Sequence, residues 1–520
     1  MKNLPLGTHT FRDIIEKENL YVDKTNDIYK LIESTNKYFF LSRPRRFGKS
    51  LLISTLEEIF LGNQELFKGL YIYDKIEWKK YPVIRIDFTG LTYSQGIEGF
   101  QKSFSALVNS FYEKFGFQMG NNDYKYEFRT LLEKISETKK VVILVDEYDK
   151  PIVEYIKESE KREQMKSIIK DFYLVLKESD KYIKFVFLTG VSKFSKISVF
   201  SGLNNLRDIT LEEKFSTMLG YTQEELLSYF NEHITETSNK LNVQENYLKE
   251  TLKDWYNGYS WDGKHFVYNP FSILSAFTTN DINNYWFQSG TPTFLINLIR
   301  EKNVNIEKLE NFIASSSMLD SFEIDNIKVE SLLFQTGYLT IKSIDSQKLG
   351  FQKYYLNYPN IEVKESLLTN ILDEFSYNND SRILIYDLVE HIENNNLDKF
   401  FDILKYNIFT QIPNEIFMAD KERYYHTIIY LILTLIGVRI KVEVQTNRGR
   451  IDAVIETQSH IYIFEFKMIS SKKAIKQIED KKYYESYLLS NKEVVLVGVS
   501  FDIKERNIKD WKIKELNQPK

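Results

Sequence analysis

The stretch YFFLSRPRRFGKSLLISTLEEIF, residues 38–60, decides the fold of the N-terminal part of the chain. Its apolar start, Tyr38 to Leu41, predicts a short buried strand, and Leu51 to Phe60 predicts a helix. The loop between them, Arg43 to Ser50, therefore leads from a strand into a helix N-terminus. Because the backbone N–H groups and the dipole of a helix N-terminus attract negative charge, this loop is predicted to bind an anion.

The loop resembles the template G-x-x-x-x-G-K-[ST], in which a lysine reaches the β/γ-phosphates and a hydroxyl contacts Mg²⁺. The chain matches it at Gly48, Lys49 and Ser50 but has Arg43 in place of the first glycine. A bare G-K-S tripeptide is common by chance, so its position between a strand and a helix carries the prediction. The nucleotide-binding residues predicted here are Arg45, Arg46, Phe47, Gly48, Lys49, Ser50 and Leu51.

A second motif, VVILVDE from Val141, is an apolar run that ends in two acids, as a buried parallel strand would. Asp146 is predicted to hold Mg²⁺ and Glu147 to polarise the attacking water. A strand that merely ends in solvated acids would explain this run alone, but together with the phosphate loop it indicates a nucleotide-hydrolysing site. Thr189, or Ser192 beside it, is a candidate γ-phosphate sensor, and an ordinary strand-end hydroxyl explains each equally well.

Strands that alternate with helices over residues 38–190 predict a parallel α/β sheet. Residues 97–136 are predicted to be helical. Further on, Thr222 and Glu225 predict a helix that begins with a capping box. The polar stretch 376–382 is a candidate linker, followed by a predicted helix over 383–435. The strands predicted after it are 437–444, 450–457, 460–467 and 493–498, with a helix over 473–488 before the last.

The segment GRIDAVIETQSHIYIFEFK, residues 449–467, predicts a β-hairpin that brings Asp452 beside Glu465. Lys467 lies two residues after Glu465 and points to the same face. Two carboxylates and a lysine in this arrangement suit Mg²⁺ or Mn²⁺ and phosphodiester hydrolysis. An isolated E-x-K is common on surfaces, but Glu465 lies in an apolar strand, where its charge needs a partner. Glu422, as a further metal ligand, and Gln477 are weaker candidates, and surface roles are at least as plausible for them.

Composition and charge limit the class of protein. A chain of 520 residues predicts several structural units, and the absence of cysteine excludes disulfides and thiolate chemistry. The N-terminus lacks the apolar core of a signal peptide, and the apolar run from Ile428 is too short to span a bilayer, so a cytoplasmic protein without a membrane contact is expected. Residues 421–520 carry a net charge of +6 and the rest carry −10, which suggests that any polyanion contact lies at the C-terminus. Charge alone favours a solvated lysine-rich surface there.

Many motifs, in this order, resemble the bacterial and archaeal AAA-ATPase-like family, whose members typically carry a C-terminal PD-(D/E)XK nuclease-superfamily domain. The N-terminal and middle motifs are LPLGTHTFRDI, YVDKT, RPRRFGKS, VDEYDKP, LTGVSKFSKISVFSGLNNLRDIT, NGYSWDG, YNPFSIL and YWFQSGTPTFL. Those of the C-terminal domain are GRID, FEFK and AIKQI. The chain departs from the patterns at Arg43 and at Ile451, which stands where the nuclease name has proline.

The resemblance implies an α/β protein with an additional-strand P-loop NTPase core (1–210), a helical and winged-helix middle (211–375) and a restriction-endonuclease-like domain (376–520). It implies ATP and Mg²⁺ at Lys49, Ser50, Asp146 and Glu147, and assembly of a homo-oligomer through the ATPase core. It makes Asp452, Glu465 and Lys467 the core of the nuclease site.

Three hypotheses follow for the function. In the first, nucleotide hydrolysis licenses metal-dependent cleavage of nucleic acid, with DNA preferred to RNA as the expected partner, and a role in bacterial defence follows by analogy alone. In the second, the protein is a nucleotide-switched nucleic-acid-binding protein with an inactive nuclease-like domain. In the third, it is a regulatory scaffold, although a scaffold would need none of the chemical residues together.

Overall fold

The computed structural model describes residues 1–193, 203, 205–287, 293–302, 304–320, 328–348, 350–376, 380–411, 421–447, 450–468, 470–482, 484–502, 505 and 507–516. For 293, 320, 347–348, 421–426, 444–447 and 450–452 only the backbone is described. The chain folds into two compact units, each made of two chain segments. The first unit comprises Met1–Gly290 and Leu309–Glu362, and the second comprises Thr291–Lys308 and Val363–Lys520.

A parallel sheet forms the core of the first unit. Its strands are β1 (Tyr38–Ser42), β2 (Val83–Asp87), β3 (Val141–Asp146), β4 (Ile183–Gly190) and β5 (Arg207–Asp208), in the order β2-β3-β4-β1-β5. Since β4 lies between the strand before the phosphate loop and the acidic strand β3, the sheet has the additional strand that the sequence predicted. The helices around it are Phe11–Glu16, Thr25–Ile32, Lys49–Phe60, Gly96–Lys114, Tyr124–Ser136, Lys150–Glu154 and Ser159–Glu178.

The sheet positions the chemical residues because parallel strands end at the same edge. Every residue of β1 and β3 is buried, as expected for strands covered on both faces. The carboxyl ends of β1, β2 and β3 carry the phosphate loop, Asp87 and Asp146, respectively. Polar groups are thus gathered at one edge of an otherwise apolar layer.

The rest of the first unit contains helices and a small antiparallel sheet. The helices are Gln223–Tyr229, Asn231–Leu241, Glu245–Tyr256, Pro270–Thr279, Ser316–Asp320 and Val329–Thr336. The strands are β6 (Phe312–Ser315), β7 (Thr340–Lys348) and β8 (Phe351–Asn357), in the order β6-β8-β7. The predicted capping box is confirmed, because Thr222 and Glu225 each accept a hydrogen bond from the other's backbone N–H.

The second unit has a five-stranded mixed sheet. Its strands are β9 (Lys441–Asn447), β10 (Arg450–Glu456), β11 (His460–Lys467), β12 (Glu493–Asp502) and β13 (Asn507–Leu516), in the order β13-β12-β11-β10-β9. The pair β11–β12 is parallel and the other pairs are antiparallel. Its helices are Thr293–Glu301, Ile361–Ser376 (which begins at the end of the first unit), Ser381–Glu393, Leu397–Asp402, Lys421–Ile436 and Ser471–Lys481. None of the helices in the described residues is long and apolar enough to cross a membrane.

Two long predicted helices are interrupted in the structure. The helix predicted over 97–136 is two helices, because Gly116 adopts a φ of 76° and Asp123 caps the second helix by accepting from two backbone N–H groups. The helix predicted over 383–435 breaks at Asn394–Asn396, where the side chain of Asn396 caps the next helix. Strand β13 was not predicted, since polar residues interrupt its apolar pattern and only one of its side chains is fully buried.

A buried carboxylate organises the end of the first unit. Glu362 is fully buried and accepts hydrogen bonds from the hydroxyl of Ser272 and the backbone N–H groups of Tyr285 and Trp286. Burial raises the pKa of Glu362 to about 7, although these hydrogen bonds oppose the shift. Because its pKa is raised in the folded chain, its contribution to stability is present below pH 4.5 and lost as the pH rises towards about 7.

We therefore expect Glu362→Gln, which is neutral at every pH, to escape this loss. Its free energy of unfolding relative to wild type should increase between pH 4.5 and about 7. Thermal unfolding midpoints of both proteins across this range measure the effect. Glu127→Gln is the control: burial raises the pKa of Glu127, but hydrogen bonds from Asn122 and Tyr112 outweigh it and lower the pKa. The stability that Glu127 contributes is therefore lost only as the pH falls below 4.5, and the difference between Glu127→Gln and wild type should stay constant over this range. A difference that does not depend on pH for Glu362→Gln would contradict the assignment.

Candidate functional site

The phosphate loop has the backbone geometry of an anion-binding turn. Arg46 and Gly48 adopt positive φ angles of 67° and 87°, and the helix starts at Lys49. A β-carbon at Gly48 would meet nothing within 4 Å, so the positive φ accounts for glycine there. The loop therefore presents the N-terminus of a twelve-residue helix to the edge of the sheet.

Lys49 lies at the centre of the loop. Its ammonium group donates to the carbonyl oxygens of Arg43 at 3.2 Å and Pro44 at 3.1 Å. It is also 3.6 Å from a carboxylate oxygen of Glu147 and is almost fully buried. A lysine held between the loop and the second acidic motif can neutralise a phosphate that enters between them.

The acids at the end of β3 face the same loop. Burial raises the pKa of Asp146, and a hydrogen bond with the hydroxyl of Ser50 opposes that shift. Glu147 follows in the left-handed region, with a φ of 51°, and its side chain is partly exposed. A strained backbone at a strand end is a common feature of functional sites. The geometry fits a divalent cation near Ser50 and Asp146, with Glu147 beside it.

Sequence reasoning missed Asp87. It is the register partner of Asp146 on the neighbouring strand, and it lines the same cavity. One of its oxygens accepts from the N–H and the hydroxyl of Thr89. The position of an acid at the end of the PVIRIDF strand, beside the predicted strand VVILVDE, was the signal that could have identified it.

A cavity of 560 Å³ joins these groups. All the predicted nucleotide residues of the loop contribute to its wall, together with Asp146 and Glu147. The N-terminal segment and the middle of the chain also line the cavity, with Pro5, Leu6, Gly7, Thr8, His9, Tyr21, Leu219, Tyr221, Phe271 and Leu274. The lining thus combines the cations of the loop with apolar and aromatic side chains, a composition that suits a ligand with an anionic part and an apolar part.

The predicted phosphate sensors have other partners. The hydroxyl of Thr189 donates to the carbonyl of Leu41 at 3.0 Å, and Thr189 does not line the cavity. The hydroxyl of Ser192 donates to Asp149 at 2.6 Å. Both hydroxyls therefore bond to neighbouring residues of the first unit, and we assign neither of them to the γ-phosphate.

Arg43, which replaces the first glycine of the template, points away from the cavity. Its guanidinium donates to the carbonyls of Ser42 and Thr210, both at 2.9 Å, and of Phe215 at 3.2 Å. Its carbon atom also lies 3.8 Å from the ring centroid of Trp261. Burial lowers the pKa of Arg43 to about 9, so it remains a cation at neutral pH. Its contacts are structural, and it does not line the cavity.

Other residues of the first unit hold the loop from outside. Phe47 is buried edge-on against Tyr259 and Trp261. The indole N–H of Trp286 donates to the carbonyl of Arg45 at 3.1 Å. Tyr259 and Trp261 of the motif NGYSWDG and Trp286 of the motif YWFQSGTPTFL therefore support the phosphate loop.

In the second unit, the strand register pairs Asp452 with Glu465 across β10 and β11, as the hairpin prediction required. Glu465 is fully buried, and the ammonium group of Lys467 lies 2.6 Å from one of its oxygens. A buried carboxylate in an apolar strand is a suitable ligand for a divalent ion. The side chain of Asp452 lies outside the described residues, so its distance from Glu465 is not part of this geometry.

The weaker nuclease candidates differ in what surrounds them. Gln477 lies in the helix Ser471–Lys481, and its amide nitrogen is buried with no hydrogen-bond partner among the described residues. The side chain of Glu422 lies outside the described part of the chain. No group of three or more His, Cys, Asp or Glu placed to hold a metal occurs among the side chains that the structure describes.

Comparison with known proteins agrees with the fold class of both units. A family model described as a predicted AAA-ATPase matches residues 5–200, and the PD-(D/E)XK nuclease superfamily model matches residues 420–511. The two units thus define a protein with an AAA-like ATPase core and a nuclease-superfamily domain. The chain is also 36% identical to an uncharacterized protein in the vnfD 5'region of Azotobacter chroococcum mcd 1, over 99% of both chains. The chain belongs to this family of predicted AAA-ATPases.

Gly337 provides a test of the support around the phosphate loop. It has a φ of 91°, and a β-carbon there would lie 2.7 Å from the Pro44 side chain. We expect Gly337→Ala to displace Pro44 and weaken ATP binding, measured by calorimetry, by about tenfold or more. Gly350, with a φ of 78° and open space around it, is the matched control. Both variants should lose about 1 kcal/mol of stability from the positive φ, and an equal effect of the two on ATP affinity would refute the contact.

Proposed function

We propose that the protein hydrolyses ATP in its first unit and uses the second unit to cleave nucleic acid phosphodiesters with a divalent metal ion. The observation that carries the proposal is the presence of two separate sets of chemical residues, one in each unit. Lys49, Asp146 and Glu147 face one cavity, and Glu465 with Lys467 forms a buried ion pair opposite Asp452.

In the first unit, the loop N–H groups and Lys49 would bind the β- and γ-phosphates. Ser50 and Asp146 are the groups that would hold Mg²⁺. When bound, the ion neutralises charge on the phosphates. Glu147 would orient the attacking water and accept its proton, and its partly exposed position at the edge of the cavity suits that role.

In the second unit, Asp452 and Glu465 would hold Mg²⁺ or Mn²⁺, which when bound lowers the pKa of water and neutralises phosphate charge. Lys467 would stabilise the negative charge that develops on the phosphate oxygens. The unpartnered amide of Gln477 would donate to a phosphate oxygen or to the attacking water. Duplex DNA is the substrate that we propose, and defence against foreign DNA is a role consistent with this chemistry.

The ATPase assignment predicts different effects for two substitutions. Lys49→Ala should reduce ATP affinity by about ten- to a hundredfold, because a charge-assisted contact to phosphate is removed. Glu147→Gln should retain ATP binding and lose turnover by about 10²–10⁴-fold, because the proton acceptor is absent. Calorimetric binding and phosphate release measure the two quantities. Persistent turnover in Glu147→Gln would reassign the base.

The nuclease assignment predicts that Glu465→Gln and Asp452→Ala each abolish metal-dependent cleavage and leave ATP turnover unchanged. The assay uses labelled DNA and RNA with Mg²⁺ or Mn²⁺, with and without ATP. The control is Glu456→Gln, which changes a carboxylate of the same hairpin that is paired with Lys441 and Lys492. If wild type cleaves neither substrate while ATP turnover persists, the nucleotide-switched binding protein becomes the better description.

A further inference from the structure

Three lysines lie on one exposed face of the helix Ser471–Lys481. Lys472, Lys473 and Lys476 are exposed, whereas Ser471, Ala474 and Ile478 on the other side of the helix are buried. Residues three and four apart are neighbours on a helix surface, so these lysines form one cluster. The ion pairs of the described residues include none of the three. We call these three residues the lysine ridge.

The ridge begins at the end of the sheet where the candidate nuclease residues stand. The hydroxyl of Ser471 donates to Asp510 at 2.6 Å, and the hydroxyl of Ser500 donates to the same carboxylate. Ser500 is in turn the register partner of Lys467. The first turn of the helix, which carries Lys472, is therefore fastened beside the strand end that bears Lys467.

A glycine allows the helix to lie this close to the sheet. Gly498 is the register partner of Glu465, and a β-carbon there would lie 2.5 Å from the carbonyl oxygen of Ser471. It would also lie 2.9 Å from the backbone nitrogen of Ile475. Any other residue would push the helix away, so the helix that carries the ridge is held against β12, beside the strand that bears Glu465.

Lysines outnumber acids around the ridge, although acids are present. Asp480 is exposed one turn further along the same face, and Glu479 is bound to Lys514. Lys509 and Lys512 are exposed on β13, on either side of Asp510 in the sequence. Like charges three and four residues apart destabilise a helix. A polyanion bound along the face would remove this repulsion.

We propose that the lysine ridge binds the phosphodiester backbone of the nucleic acid that enters the nuclease site. The inference deepens the proposed function and rests on it for the nature of the substrate. Lysine ammonium groups act as point charges, so they suit contacts to phosphates and carry no base recognition. The ridge therefore supplies affinity that does not depend on sequence, beside the groups that perform cleavage.

The test measures binding separately from cleavage. Lys472→Gln, Lys473→Gln and Lys476→Gln are combined in the full chain, with Glu465→Gln and EDTA present so that no cleavage occurs. Affinity for labelled duplex DNA and duplex RNA is measured by fluorescence anisotropy at several NaCl concentrations. Each phosphate contact contributes about 0.9 to the slope of log K against log salt, so we expect the slope to fall by about 2–3. The affinity should weaken by about ten- to a hundredfold at moderate salt.

A charge-matched control replaces Lys157, Lys170 and Lys177, three exposed lysines of the first unit, by glutamine. It should leave the slope unchanged. An unchanged slope in the ridge variant, an equal loss in the control, or no binding of either nucleic acid by the parent chain would overturn the proposal. Glutamine favours helix, so the substitutions should preserve the fold. If the triple variant does not fold, Lys473→Gln alone is measured, with an expected change in slope of about 0.9. If the wild-type chain binds nucleic acid through the ridge but cleaves none, the proposed nuclease activity is refuted and the proposed binding role of the ridge stands.

Discussion

A buried guanidinium is the constraint on which the nucleotide site depends. Arg43 occupies the first position of the phosphate loop, and burying its charge requires acceptors close to the guanidinium. The carbonyls of Ser42, Thr210 and Phe215 meet that need, and the ring of Trp261 covers the group. The loop, the end of β1 and the middle of the first unit are thus joined at one point. Loss of any of these partners would leave a charge without compensation.

The two chemical sites use the same geometric device in different sheets. In the first, adjacent parallel strands bring Asp87 and Asp146 together at their carboxyl ends. In the second, an antiparallel pair sets Asp452 opposite Glu465, and the next parallel strand admits a helix at Gly498. Each site therefore follows from strand register, whereas the surrounding helices determine what can approach it.

Much of this arrangement was predictable from sequence, and the failures have physical causes. An apolar run followed by acids or by a G-K-S tripeptide indicates a strand and the place where it ends. Lys49, Asp146 and Glu465 could therefore be selected as candidate site residues from sequence. The structural role of Arg43 was not predicted, because its partners Thr210 and Phe215 are distant in sequence. Sequence patterns likewise do not reveal that strand-end hydroxyls are already bonded within the sheet. The functions of these residues stay predictions, as does the division of the chain into three domains.

The interleaving of the two units has a consequence for biosynthesis. The first unit needs 309–362 for completion, and the second takes Thr291–Lys308 from ahead of that segment. Neither unit can therefore be separated by a single break in the chain. One helix of the second unit is also synthesised before the rest of that unit and must wait for its packing partners. Contacts between such distant segments slow folding. Truncated or stalled products would expose apolar helix faces, which makes them targets for chaperones and proteases.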